Sequence, residues 1–200
     1  MRVWRIPFST NVERVALALG HKGLSVEWVD VDPADRSPVE AISGQRLVPV
    51  LDDDGSIVTD STAILEHLEA RHPDPPLYPR EEARRAEARA VVDWFNRVWK
   101  VPPNLLDDAG YDDPRSADAV AELERSRDLF EALLAGRDHL FGDELTVVDV
   151  VAFPFLKYAV MLDPDDDEEF HRILNRHLRL DGRYPRLAAW IQRVDARPRA

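Results

Sequence analysis

The stretch 47–61, Leu47-Val48-Pro49-Val50-Leu51-Asp52-Asp53-Asp54-Gly55-Ser56-Ile57-Val58-Thr59-Asp60-Ser61, decides the fold. Two β-forming runs, 48–51 and 57–59, flank an acidic turn whose Asp-Gly pair is a strong hairpin signal. Proline has no backbone N–H and normally stays out of a central strand, so Pro49 inside such a run needs a reason. Two readings stand. One is an ordinary edge-strand proline. The other is a cis Val48–Pro49 bond, which turns the N–H and C=O of Val48 outward to pair with an extended ligand backbone. Asp60-Ser61 follows where the hairpin ends and a helix begins. Ser61 there is either a plain N-cap or part of an anion site, made of its hydroxyl, the free first-turn amides and the positive helix end. In that second reading Asp60 is available to a ligand ammonium.

Working outward, residues 2–6 read as a strand and 11–19 as a helix, with Val12, Val15, Ala16 and Leu19 spaced along one face. A second strand is expected over 25–31, and a short helix from Pro38 to Ile42. After the hairpin, a helix over 61–72 carries Ile64, Leu65 and Leu68 on one side. The order βαβαββα implies a parallel crossover closed by an antiparallel hairpin, the order found in thioredoxin-like α/β domains. Pro73-Asp-Pro-Pro-Leu-Tyr-Pro79 cannot continue a helix and reads as a linker. Everything beyond shows helical spacing: 81–100, 116–134, 147–162, roughly 168–177 and 185–194. Pro102-Pro103, Gly110, Gly142, Pro164 and Gly182 punctuate these helices. The expected organisation is a thioredoxin-like domain at 1–72, a Pro-rich linker at 73–80 and an all-helical bundle at 81–200.

Composition narrows the function. With 38 acidic against 26 basic residues and a net charge of −12, the chain repels phosphate backbones and anionic lipid, so neither nucleic acid nor membrane is expected as a partner. No run approaches the ~20 apolar residues of a membrane span and no apolar leader opens the sequence, so a cytoplasmic protein is expected. The chain has no cysteine, which removes disulfides, thiolate metal sites and protein-thiol redox chemistry together. His21, His67, His72, His139, His171 and His177 show no metal-ligand spacing with acids, so no metal site is expected.

Ser9 lies between the first strand and the first helix in Pro7-Phe8-Ser9-Thr10-Asn11-Val12-Glu13-Arg14-Val15. A hydroxyl here either caps the helix or donates a hydrogen bond to a bound thiolate, which the helix N-terminus also favours. No Gly-x-Ser-x-Gly elbow surrounds it, which argues against a hydrolase nucleophile.

These motifs resemble the cytosolic glutathione transferases over essentially the whole chain. Val48-Pro49-Val50-Leu51 is similar to the family's cis-proline strand, and Asp60-Ser61-Thr62-Ala63-Ile64-Leu65 to its acid-serine glutathione motif. The stretch from Ser9 to Val15 is similar to the serine-type classes, the phi-like ones especially. Gly142-Asp-Glu-Leu-Thr146-Val-Val-Asp149-Val-Val-Ala-Phe-Pro154 resembles the family's capping box and hydrophobic staple, followed by Tyr184-Pro-Arg-Leu-Ala-Ala-Trp190.

The resemblance implies a transferase joining glutathione to a hydrophobic electrophile, with glutathione as co-substrate and no other cofactor. It gives Ser9 the thiol-activating place, with Asn11 as a secondary polar group. Val48 and Pro49 are implied for the cysteinyl backbone, Asp60 and Ser61 for the γ-glutamyl end, and Gln45 for a further glutathione contact. The electrophile site is implied between the domains, with Phe8, Trp94, Trp99 and Tyr111 as candidate lining, and a homodimer is implied as the assembly. Two alternatives stand beside this: a non-catalytic ligand-binding or interaction module on the same fold, and a transferase using another low-molecular-weight thiol.

Overall fold

The computed structural model describes residues 1–200, which divide into two compact units: Met1–Tyr78 with Arg197–Ala200, and Pro79–Ala196. The first unit is built on β1 (Arg2–Arg5), α1 (Thr10–His21), β2 (Glu27–Asp30), α2 (Ser37–Ser43), β3 (Val50–Asp53), β4 (Ser56–Thr59) and α3 (Ser61–Arg71). The sheet runs β2-β1-β3-β4, with β1 parallel to β2 and both β1–β3 and β3–β4 antiparallel. This is the expected thioredoxin-like βαβαββα order. The hairpin closes because Asp54 and Gly55 take φ of 52° and 90°, the left-handed pair a tight two-residue turn requires. The Asp52 carboxylate also accepts from the Gly55 N–H at 2.7 Å.

Val3, Val50 and Leu51 from the sheet, Val15, Ala18 and Leu19 from α1, and Ile64, Leu65 and Leu68 from α3 are fully buried. The buried face of α1 is wider than the sequence spacing suggests. It takes in Thr10, Arg14 and Leu17, while Ala16, expected on it, is only half-buried. At the end of this unit Lys22 is sunk beneath the surface. Its ammonium pairs with Glu69 at 2.7 Å and donates to the carbonyls of His72 and Pro75 at 2.6 and 2.9 Å. Glu69 in turn accepts from the N–H groups of Leu77 and Tyr78, so one buried ion pair holds α1, α3 and the Pro-rich segment together.

The last four residues leave the helical unit and pack on the first. Ala200 bonds the carbonyl of Ala16 through its N–H and the indole of Trp28 through its carbonyl, and Arg199 pairs with Glu13 at 3.0 Å. Gly20 makes room for this. A Cβ there would sit 2.1 Å from the carbonyl oxygen of Pro198, so any side chain would push the tail away.

The second unit holds α4 (Glu82–Trp94), a π-helical turn (Phe95–Trp99), α5 (Val101–Ala109), α6 (Ser116–Leu133), α7 (Val147–Leu156), α8 (Glu169–Leu178) and α9 (Pro185–Asp195). Three expectations need correction. The helix expected over 81–100 turns π-helical at Phe95, and Pro102-Pro103, expected to interrupt, sits in the first turn of α5. Prolines are tolerated there because first-turn amides have no intrahelical partner to lose. The helix expected over 147–162 ends at Leu156 and passes into a 3-10 turn, Lys157–Ala159.

The start of α7 is the polar centre of this unit. Thr146 and Asp149 form the capping box that the sequence suggests. Asp149 is fully buried, and its carboxylate accepts four hydrogen bonds: from Leu140 N–H at 2.8 Å, Thr146 N–H at 2.9 Å, Thr146 Oγ1 at 3.1 Å and Trp190 Nε1 at 2.8 Å. No helix of the chain is long and apolar enough to cross a membrane.

Candidate functional site

Strand register brings the three sequence motifs to one end of the sheet. Trp4 pairs with Val50 and Val50 with Thr59, so β3 begins and β4 ends on one transverse row, one residue short of the end of β1. The chain just beyond that row holds Pro7-Phe8-Ser9 after β1, Val48-Pro49 before β3, and Asp60-Ser61 after β4. The Val48–Pro49 bond is cis, as the second reading of Pro49 requires. Pro49 is buried, Val48 is half-buried and Leu47 before it is 69% exposed, so the chain turns inward at the bond.

Backbone strain concentrates at the same edge. Only three residues other than glycine have positive φ: Asp54 in the hairpin, Phe8 at 62° and Asp60 at 71°. An aromatic residue pays for that conformation sterically, at a cost on the order of 1–3 kcal/mol, and such residues gather at functional sites because the surrounding structure must impose them. Here the two outliers immediately precede Ser9 and Ser61.

Ser9 is the N-cap of α1, its Oγ accepting from the Val12 N–H at 3.4 Å. Capping uses a lone pair and leaves the hydroxyl proton free to donate, so the two sequence readings of Ser9 are compatible. Thr10 is buried behind it and Asn11 is half-buried.

At α3 the roles of the acid and the serine differ from expectation. Asp60, not Ser61, is the N-cap: one oxygen of its carboxylate accepts from Thr62 and Ala63 N–H at 2.8 and 3.1 Å, and the side chain stays exposed. Ser61 is the first helical residue, 3% exposed, and its Oγ accepts from the Arg14 guanidinium at 3.2 Å. Arg14 is the residue sequence reasoning missed. It is 1% exposed, and burial pushes it down to about 9 while Asp60 pulls the other way, so it remains protonated at neutral pH. The signal was its place four residues after Thr10 and three before Leu17, which puts it on the inner side of α1. The result is a buried cation beneath an exposed carboxylate, with a serine hydroxyl between α1 and α3.

Gln45, expected to contact a ligand, is engaged with its own loop. Its amide nitrogen donates to Leu47 O at 2.9 Å and to Ser43 Oγ at 3.1 Å, and its amide oxygen accepts from Leu47 N–H at 2.5 Å. It shapes the approach to Val48.

The four residues expected to line an electrophile site have separate surroundings. Phe8 is 38% exposed beside Ser9. Trp99 is 4% exposed and stacks on Phe95 at 4.4 Å, edge-on to Phe130 and Phe155, so it belongs to the aromatic core of the helical unit. Trp94 is half-buried and borders two clefts of that unit, of about 130 and 210 Å³. Tyr111 lies between α5 and α6, its hydroxyl 2.9 Å from His177 Nε2 and 2.9 Å from the Arg176 guanidinium.

With this geometry in place, comparison with known proteins is specific. The family profile for the glutathione S-transferase N-terminal domain matches residues 4–76, and that for the C-terminal domain matches residues 79–193. Glutathione S-transferase GstB of Escherichia coli is 28% identical over 98% of this chain and 93% of its own length. Glutathione S-transferase U7 of Arabidopsis thaliana is 29% identical over 75% of this chain, and the match spans 65% of that relative, less than two thirds of its length. Among solved structures, the β-etherase LigF of Sphingobium superposes with a TM-score of 0.81 at 21% identity, covering 98% of this chain and 95% of that one, which speaks for the fold. Both halves of the chain, their element order and their match to both domain profiles place it in the cytosolic glutathione S-transferase family.

Proposed function

We propose that the chain conjugates the thiol of glutathione to a hydrophobic electrophile through a thiolate held by Ser9. The observation that carries this reading is the shared row Trp4–Val50–Thr59, which sets Ser9, the cis Val48–Pro49 bond and Asp60-Ser61 along one edge. An extended tripeptide fits such a row. Its cysteinyl backbone pairs with the outward N–H and C=O of Val48. Its γ-glutamyl carboxylate meets the Ser61 hydroxyl and the positive start of α3, backed by Arg14, and its ammonium meets Asp60.

The thiol then lies at Ser9, where the hydroxyl proton and the N-terminus of α1 both favour the anion, with Asn11 as a further polar neighbour. A free thiol titrates near ~8.5, and each unit of depression is worth about 1.4 kcal/mol toward the reactive form. The thiol proton passes to solvent. The thiolate forms a C–S bond to the electrophilic carbon, and the bond to the leaving group breaks with its electron pair. Catalysis in this scheme is thiol ionisation and positioning, with no covalent enzyme intermediate. Phe8, exposed beside Ser9, offers the electrophile an apolar contact. The family resemblance further leads us to expect a homodimer, working in the cytoplasm.

Ser9→Ala is the test, read by calorimetric titration with glutathione and by turnover of an aryl halide. Turnover should fall about 100-fold, the scale of losing one donor to a developing anion, while glutathione affinity changes less than about threefold. Unchanged turnover would overturn the role of Ser9 and move it to Thr10 or Asn11. Glutathione binding without turnover in the unaltered chain would favour a non-catalytic module. Turnover with another small thiol only would replace the co-substrate.

A further inference from the structure

Away from that edge, the helical unit contains a second set of groups arranged for chemistry. Tyr111, in the connection between α5 and α6, approaches His177 in the last turn of α8 at 2.9 Å. The other ring nitrogen of His177 lies 3.4 Å from the Glu124 carboxylate on α6. Arg176, beside His177, donates to the Tyr111 oxygen at 2.9 Å. With the His177 ring neutral, the partners settle the direction of each bond. A carboxylate only accepts, so Nδ1 of neutral His177 carries the proton and Nε2 presents its lone pair. A guanidinium only donates, so the phenolic oxygen accepts from Arg176 and sends its own proton to Nε2. The hydroxyl is therefore drawn toward a base on one side and steadied by a cation on the other, the arrangement that activates a hydroxyl nucleophile.

The other tyrosines show what this is not. Tyr78, Tyr158 and Tyr184 are 2 to 3% exposed, and Tyr111 is 44% exposed. Tyr158 donates to Asp166 and Tyr184 to Asp128, each at 3.0 Å. Burial, and then the hydrogen bond to Asp128, push Tyr184 up, the opposite of activation. Only Tyr111 combines access to solvent, an imidazole as acceptor and a guanidinium as donor.

We propose that Tyr111 is a base-activated nucleophile that takes acyl groups from activated aryl esters. Its oxygen attacks the ester carbonyl carbon while its proton moves to His177 Nε2, and Glu124 holds the resulting imidazolium. The tetrahedral species collapses by breaking the bond to the aryl oxygen. That aryloxide leaves with the electron pair, the proton on His177 returns to it or to water, and the product is an O-acyl tyrosine.

The probe is 4-nitrophenyl acetate, with nitrophenolate release followed in time and the acetylated residue located by peptide mass mapping. Acetylation should map to Tyr111 and vanish in Tyr111→Phe. His177→Gln should slow it about 100-fold, the scale of a lost general base, and Glu124→Gln about tenfold. Glu124 has a side chain 46% exposed, so its replacement leaves packing intact. It decides the matter alone if His177→Gln no longer melts cooperatively. Equal labelling rates in the unaltered chain and in Glu124→Gln would reduce Tyr111 to an exposed phenol and overturn the proposal. Acetylation confined to lysines or to the N-terminus would overturn it as well.

Discussion

Asp60 and Asp149 both satisfy the amides of a helix start with a carboxylate, one in each unit, at opposite extremes of burial. Asp149 is fully enclosed, and both of its oxygens are taken by donors from the loop before α7, from Thr146 and from Trp190. Asp60 is exposed, holds a strained φ of 71°, and uses one oxygen for Thr62 and Ala63. A saturated, buried carboxylate organises the fold and has nothing left to offer a ligand. A strained, open one that caps with one oxygen keeps charge and a lone-pair set facing water.

The same substitution at both places breaks or sharpens that contrast. Asp149→Asn sets an amide N–H against the Thr146 N–H, leaving buried donors unsatisfied, and should destabilise the helical unit by about 3 kcal/mol. The check is the urea unfolding midpoint. A loss below about 1 kcal/mol would show that Asp149 is not the polar centre its geometry describes.

Asp60→Asn keeps the capping oxygen and a good N-cap residue, so stability should change by less than about 0.5 kcal/mol. Glutathione affinity should nonetheless fall about tenfold through loss of the ammonium partner, read by calorimetry. Unchanged affinity would make Asp60 a cap and nothing more.

The smallest expected effect is a pH dependence confined to the first unit. Burial holds His21 below its ordinary value, against the opposing hydrogen bond to the Pro76 carbonyl at 3.1 Å. The folded state thus binds this proton less readily than the unfolded chain does. The stability this contributes is complete above ~6.5 and is lost as pH falls from there toward the folded value. Solvent around the half-buried ring limits it to a fraction of a kcal/mol. His21→Asn should flatten that slope in thermal unfolding between pH 7 and 5, and an unaltered slope would assign it elsewhere.

Legibility from sequence followed the range of the interactions involved. The hairpin turn, the Thr146–Asp149 capping box and the break at the Pro-rich segment rest on residues within a few positions of one another, and their signals read directly. The second proline pair misled, because Pro102-Pro103 means a break inside a helix and a start in its first turn, and only the neighbouring π-helical turn distinguishes them. The residues expected as lining met different surroundings for a related reason. An aromatic at helical spacing signals burial without naming its partners, and Trp99 found Phe95, Phe130 and Phe155.

From its residues alone this chain determines the order of strands and helices, the hairpin, the caps and the motifs that carry the family resemblance. Each of these depends on local stereochemistry: a φ requirement, a missing N–H, a side-chain oxygen one turn from a free amide. Tertiary structure decided which polar groups are shared across long separations in sequence. Arg14 lies beneath Ser61, Lys22 is sunk against Glu69, the tail at 197–200 passes over Gly20, and Tyr111 is set between Arg176 and His177. Those pairings depend on packing and strand register, which bring distant residues together only once the whole unit has folded.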